Sequence, residues 1–394
     1  MRRLLLGVVL TACASPPDPP VHKEPLPFEP AGPTASPDPS APGPYPVGVR
    51  TVTLVDPTRT TPGYTAPRQL VCEIWYPAVE ASRTLPRVEY VLHDQLPDDM
   101  KAQIAPEALG TLQTDAARDA DIRADSDRYP VVVFSHGKGG IRMQSTFLTV
   151  ALASHGHVVI SPDHEADTLV DLLREGDVEL NTTYDSFIDR PLDVMFILDQ
   201  VEAGDALSWL RPIADMEHVG LAGHSFGALT TMRVSGLDGR VDAEVAQAPA
   251  GYALVQVDVP TQLEQYGIPV MLQSAGMDRT LPEDPSATSL WAHLRSPRYF
   301  LRMPTAGHFT FSDLCVFDVA AIDAAIPLDV SNVLTDGCGT DNIRPEVAFP
   351  IIRHYAVGLF NGYLRSSPAA RALLTEAPGV ALGGAGTLTF QHEP

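Results

Sequence analysis

Val219-Gly220-Leu221-Ala222-Gly223-His224-Ser225-Phe226-Gly227-Ala228 decides how this chain is read. A buried-type apolar run enters a tight Gly-x-Ser-x-Gly turn and passes into the start of a helix. This is the pattern of a nucleophile elbow, a strained strand-to-helix turn that holds a serine hydroxyl clear of the sheet. Space dictates the residue types. Side chains two positions before and after the serine would collide with its backbone and with the neighbouring strand, so Gly223 and Gly227 are needed there. A helix starting at Phe226 turns its N-terminal amides toward the oxygen, where developing negative charge is stabilised. Three fixed residues in five also occur by chance where a Gly-rich turn ends a strand. The motif gains its weight from its company.

On either side of the elbow, from residue 129 onward, strand and helix patterns alternate. Pro130–Ser135, His157–Ile160, Val241–Gln247, Pro269–Ser274 and Pro297–Arg302 are short apolar runs, as expected of strands buried on both faces. Arg142–Ser154, Pro191–Val201 and Pro345–Leu364 read as helices, the second with Leu192, Met195, Phe196 and Ile197 as its apolar positions. Upstream, Val49–Val55 and Gln69–Tyr76 alternate as strands, with Pro57, Pro62 and Gly63 between them suggesting a hairpin-like connection. Together these predict an α/β chain: a mostly parallel twisted sheet with helices on both faces. Residues 83–128 are polar with a weak helical pattern. They read as an insertion beside the sheet edge, either covering the site or forming a solvated excursion.

The chain has 394 residues, enough for one large α/β domain or two ordinary ones. With 27 basic and 49 acidic residues it carries a net charge of −22, which repels phosphate backbones and argues against nucleic acid as a partner. Arg2-Arg3 followed by the apolar Leu4–Leu10 is too short to span a bilayer and reads as a targeting segment. Leu10-Thr11-Ala12-Cys13 resembles a lipobox, which implies a signal peptide over 1–12, cleavage before Cys13 and lipid on that cysteine. The expected organisation is then a lipid-bearing, Pro-rich tether over 13–48, a folded domain over 49–365 and a tail over 366–394. The expected location is the bacterial cell envelope, with contact to the membrane through the lipid alone. Cys315 and Cys338 lie outside the strands and in an oxidising compartment could close a disulfide loop, whereas Cys72 reads as a buried thiol.

A serine hydroxyl needs a base, and the base needs an orienting acid. The strand at 269–274 runs into Ala275-Gly276-Met277-Asp278, which places Asp278 just past a strand's carboxyl end. The strand at 297–302 runs into Pro304-Thr305-Ala306-Gly307-His308 and places His308 alike. The candidate set is Ser225 as nucleophile, His308 as base and Asp278 as acid. A tetrahedral intermediate needs two donors for its oxyanion. The amide of Phe226 is one, and the loop His136-Gly137-Lys138-Gly139-Gly140 offers the other, with Lys138 first and Gly139 second. Asp163-His164-Glu165-Ala166-Asp167 invites a metal reading. No second histidine group stands at ligand spacing, so it reads as a loop near the site mouth, and neither metal nor cofactor is expected.

Tyr129–Gly137, Ala153-Ser154-His155-Gly156-His157-Val158-Val159 and Gly223–Gly227, with Ser, Asp and His in that chain order, resemble the platelet-activating-factor acetylhydrolase and dienelactone-hydrolase branch of the α/β hydrolases. They are also similar to bacterial cutinase-like enzymes. The resemblance spans roughly residues 49–364. It implies the α/β-hydrolase fold and a cofactor-free serine esterase acting on a small-molecule ester. One departure stands out. In the eukaryotic acetylhydrolases the acid follows the strand after the elbow, but here that strand ends in Gln247-Ala248-Pro249-Ala250 without a carboxylate. Asp278 sits one strand later. Two competing readings remain: a peptidase or thioesterase using the same residues, and a binding protein on an inactive hydrolase fold.

Overall fold

The computed structural model describes residues 35–61, 63–124, 128–175, 180–256, 263, 267–326 and 335–393. Cys13, the expected signal peptide and most of the expected tether lie outside them. The described strands are β1 (Val47–Thr60), β2 (Pro67–Pro77), β3 (Arg87–Val91), β4 (Thr111–Arg118), β5 (Tyr129–Ser135), β6 (Val158–Asp163), β7 (Ala214–His224), β8 (Val241–Gln247), β9 (Val270–Ala275), β10 (Arg298–Met303) and β11 (Thr389–Glu393). They form an eleven-stranded sheet in the order β11-β10-β9-β8-β7-β5-β6-β2-β1-β4-β3.

The stretch from β6 to β10 is parallel throughout. Side chains alternate faces along each strand. Val132, Phe134, Ala222, Val245 and Met271 pack on one face with the helices Thr146–Ser154 and Pro345–Tyr363. On the other face, Val131, Val133, Val219 and Leu221 meet the helix Leu180–Ala203. Ala246 and Leu272 there meet the helix Phe226–Ser235. Two-sided burial is why these strands read as continuous apolar runs; every residue of β5 is buried. Helices on both sides of a mixed sheet make this the α/β-hydrolase fold.

Three sequence expectations change. The insertion read over 83–128 does lie beside the sheet edge, but as strand rather than helix: its described residues contribute β3 and β4, which extend the sheet beyond the β1–β2 hairpin. Between those strands, Leu96, Ile104 and Leu109 cluster with Leu173, Ile322 and Ile326, so the connection packs on chain that follows His308. Second, the tail is structured. Residues 368–383 are partly helical, and β11 pairs antiparallel with β10 from Arg298↔Glu393 to Arg302↔Thr389. Third, the helix read over 191–201 begins at Leu180 and buries Val194, Ile197, Leu198 and Val201, leaving Leu192 exposed. That i, i+3, i+4, i+7 stripe has the expected helical period but starts at Val194 rather than Leu192.

Candidate active site

β5 and β7 are neighbours, while β6, the strand after β5, pairs on the far side of β5. The chain therefore leaves these two strands in opposite directions, and a crevice opens at their carboxyl ends. Ser225 stands there. Its φ is +56° with ψ −120°, a strained pair for a residue with a side chain. The two glycines make the turn possible. A Cβ on Gly223 would fall 2.4 Å from the carbonyl carbon of Gly227, and one on Gly227 would fall 1.9 Å from the Ser135 carbonyl oxygen. The Ser225 amide donates to the Gln247 carbonyl at 2.8 Å, which pins the elbow to the end of β8.

Ser225, Asp278 and His308 are brought together. Nε2 of His308 is 2.8 Å from Oγ of Ser225, and its Nδ1 is 2.8 Å from Oδ2 of Asp278. A carboxylate can only accept, so Nδ1 carries the proton and Nε2 is left to accept the serine proton. The other oxygen of Asp278 accepts the Leu281 amide at 2.6 Å, which fixes the carboxylate's rotation. His308 and Asp278 come from the loops after β10 and β9, which are adjacent parallel strands. β8 is followed not by an acid but by Ala248, at φ +41°.

Three amides of the Gly-rich loop after β5, those of Gly137, Gly139 and Gly140, are already occupied. Gly137 N donates to Oε1 of Gln144 at 2.9 Å. Gly139 N donates to Oδ1 of Asp167 at 3.0 Å, and Gly140 N to the Gly137 carbonyl at 3.1 Å. Gly139, the second oxyanion candidate, is thus committed elsewhere. Lys138 N has no acceptor among the described residues. Phe226 opens its helix, so its amide has no acceptor within that helix.

Beneath this loop lies a second chain of the same three residue types. Oγ of Ser135 is 3.0 Å from Nε2 of His164, and Nδ1 of His164 is 2.9 Å from Oδ2 of Asp193. All three are fully buried. Arg190, also fully buried, donates to Ser135 Oγ at 2.9 Å, to Asp167 Oδ2 at 3.1 Å and to the His136 carbonyl. Burial, reinforced by Arg190, lowers the His164 pKa to about 4, so the ring is neutral. Burial alone would raise the Asp193 carboxyl, but bonds from Arg68 and His164 hold it well below the usual carboxylate range. The rest of the segment considered for a metal is taken up similarly: Asp163 pairs with Arg142, and Glu165 accepts from Thr61.

Sequence reasoning missed several contributors. His224, inside the elbow motif, donates from Nε2 to the His308 carbonyl at 2.8 Å and accepts at Nδ1 from Gln144 at 3.0 Å. Burial and the nearby His308 push its pKa well down, so it stays neutral as this pattern requires. Gln144 thereby joins the Gly-rich loop, the elbow and the His308 loop. Nothing in the sequence singles it out. Arg190 carried one faint signal, a charge just before Pro191 at the edge of an apolar helical pattern. Cys315 and Cys338 form the expected disulfide, at 2.02 Å, and Cys72 is a buried free thiol.

Residues 35–170 match the model of the family described as platelet-activating factor acetylhydrolase, isoform II. Two curated relatives match over short stretches. Bovine platelet-activating factor acetylhydrolase is 38% identical over 56 residues, 14% of this chain and 12% of that protein. A probable 1-alkyl-2-acetylglycerophosphocholine esterase of Arthroderma benhamiae is 25% identical over 134 residues, 32% of each. The chain therefore spans a third or less of the curated relatives it matches. A solved structure, ferulic acid esterase from Streptomyces cinnamoneus, superposes with a TM-score of 0.64 at 23% identity, covering 88% of this chain and 96% of that one. That likeness is one of fold. The chain has the α/β-hydrolase fold, and its residues 35–170 are similar to the platelet-activating factor acetylhydrolase family.

Proposed function

We propose that this protein is a serine hydrolase of carboxylic esters that works through an acyl-enzyme. The supporting observation is the hydrogen-bonded run from Ser225 through His308 to Asp278, set on a positive-φ elbow at the carboxyl rim of the sheet. His308 Nε2 takes the Ser225 proton as Oγ attacks the ester carbonyl. The carbonyl oxygen gains the charge, and the amides of Phe226 and Lys138 stabilise it. Collapse breaks the bond to the alkoxy oxygen, which leaves as alcohol with the proton from His308. Water, deprotonated by the same ring, then attacks the acyl carbonyl and frees the acid and Ser225. Short and medium acyl esters are the substrate class, in keeping with the acetyl-ester names of the relatives.

The test is hydrolysis of p-nitrophenyl acetate, butyrate and octanoate by the purified protein and by Ser225→Ala. Parent turnover that the variant lacks is the expected result, and equal rates would end the reading. We further infer that Cys13 carries lipid, supported by the Leu10-Thr11-Ala12-Cys13 sequence. Cys13→Ser is expected to move the protein from the membrane to the soluble fraction of its host. An unchanged distribution would exclude the anchor.

A further inference from the structure

The acid and the base of the site sit on separate loops, and their contact depends on how those loops are held relative to each other. Near the strand ends two main-chain bonds join them: Gly276 N to the Met303 carbonyl at 2.9 Å and Met277 N to the Ala306 carbonyl at 2.8 Å. At the outer edge, Asn342 Nδ2 donates to the Thr305 carbonyl at 3.2 Å and to Met277 Sδ at 4.0 Å. Beyond Asp278, the side chain that bridges the two loops at the acid and the base is that of Asp336. Its Oδ2 accepts from Arg279 N at 3.0 Å, Thr280 N at 2.9 Å and Thr280 Oγ1 at 2.8 Å. Its Oδ1 accepts the amide of His308 itself at 3.2 Å, and its carbonyl accepts Phe309 N at 2.8 Å. The carboxylate is 2% exposed, so these donors stand in for the water it has lost.

The backbone around it is equally close. A Cβ on Gly307 would lie 2.4 Å from Gly337 N, and Gly337 has a φ of +116°. The next residue, Cys338, is bonded to Cys315. Cys315 lies in the short 3-10 turn Asp313–Val316, whose Asp313 caps the helix Thr146–Ser154 through Thr146 Oγ1 at 2.7 Å and the Thr146 amide. The disulfide thus ties the Asp336 segment to a fixed point on the main body of the domain.

We propose that Asp336 is a positioning residue that sets the distance between Asp278 and His308, and that the Cys315–Cys338 disulfide holds it in place. Asp336 touches no reacting atom. It acts through the amides next to the acid and on the base. An error near 1 Å in such an alignment costs about 100-fold in rate. The kinetic consequence rests on the ester-hydrolase reading of the same site; the bracing itself does not.

Asp336→Asn and the double variant Cys315→Ser/Cys338→Ser are compared with the parent by amide hydrogen exchange and by steady-state kinetics. In Asp336→Asn, peptides spanning 275–282 and 304–311 are expected to exchange about tenfold faster or more, while the helix Pro345–Tyr363 keeps its parent rate. kcat is expected to fall by about 10- to 100-fold with KM unchanged. The double serine variant keeps the carboxylate and is expected to show the same pattern more weakly; it carries the test should Asp336→Asn not fold. Unchanged exchange in the two loops overturns the proposal. So does an increase spread evenly over the domain, which would mark a general stabilising role. A parent without ester hydrolysis would remove the proposed function, while the exchange data would still decide the brace.

Discussion

Two Ser–His–Asp chains lie in this domain, Ser225–His308–Asp278 on the rim and Ser135–His164–Asp193 beneath it, and bond lengths barely separate them. Both run from hydroxyl to Nε2 and from Nδ1 to carboxylate, at 2.8 and 2.8 Å in the first and 3.0 and 2.9 Å in the second. What differs is the surroundings of the serine. Ser225 stands on a positive-φ elbow at the head of a helix, with free-ended amides beside it. Ser135 ends a buried strand, and its oxygen already accepts from Arg190. A hydroxyl so occupied has neither a path to substrate nor donors for an oxyanion. Under the proposed function the outer relay serves chemistry and the inner one architecture: the inner chain and Arg190 hold the Gly-rich loop in place.

The sharpest way to break this contrast is to remove each nucleophile-like group in turn. Ser225→Ala is expected to lower kcat by about 10⁴-fold or more, as triad deletions do, measured on p-nitrophenyl butyrate. Asp278→Asn should cost about 10³- to 10⁴-fold by loss of the correct imidazole tautomer. Asp167→Asn, which disturbs the acceptor for Gly139 and the partner of Arg190, should lower kcat by roughly 10- to 100-fold with KM little changed, since it displaces an oxyanion donor without removing it. Ser135→Ala should leave kcat within about threefold of the parent while lowering thermal stability by about 1–3 kcal/mol, because a buried guanidinium loses an acceptor. A large kcat loss in Ser135→Ala with full stability would contradict the division of roles drawn here.

A pH series sharpens the comparison further. The pKa of His164 is lowered to about 4 in the folded state by burial and Arg190, against about 6.5 unfolded. The unfolded chain therefore binds more protons between these values, and stability contributed by neutral His164 is lost as pH falls from about 6.5 to about 4. Thermal midpoints of the parent and of His164→Gln, read across that window, should converge as the pH drops. A constant gap would mean that His164 is not neutral in the fold.

The elbow, the parallel core and the three catalytic candidates were legible because each is written locally: a glycine pair around a serine, apolar runs of strand length, a polar residue just past a strand end. The misreadings have a common cause. β3 and β4 border solvent and alternate imperfectly, so their polar residues imitated a helix, and β11 is a five-residue strand with one buried side chain. Gln144, Arg190 and Asp336 owe their roles to partners dozens of residues away, and a single sequence carries no mark of such pairing. Gly139 failed as a donor for the same reason, since its amide is spent on Asp167.

β11 has a practical consequence. The strand that delivers His308 is the outermost of the parallel set and would otherwise be an open sheet edge; β11 shields it, with Glu393 clasping Arg298 through both carboxylate oxygens. Trimming the C-terminus at residue 388, or crowding it with an affinity tag, would bare the flank of β10.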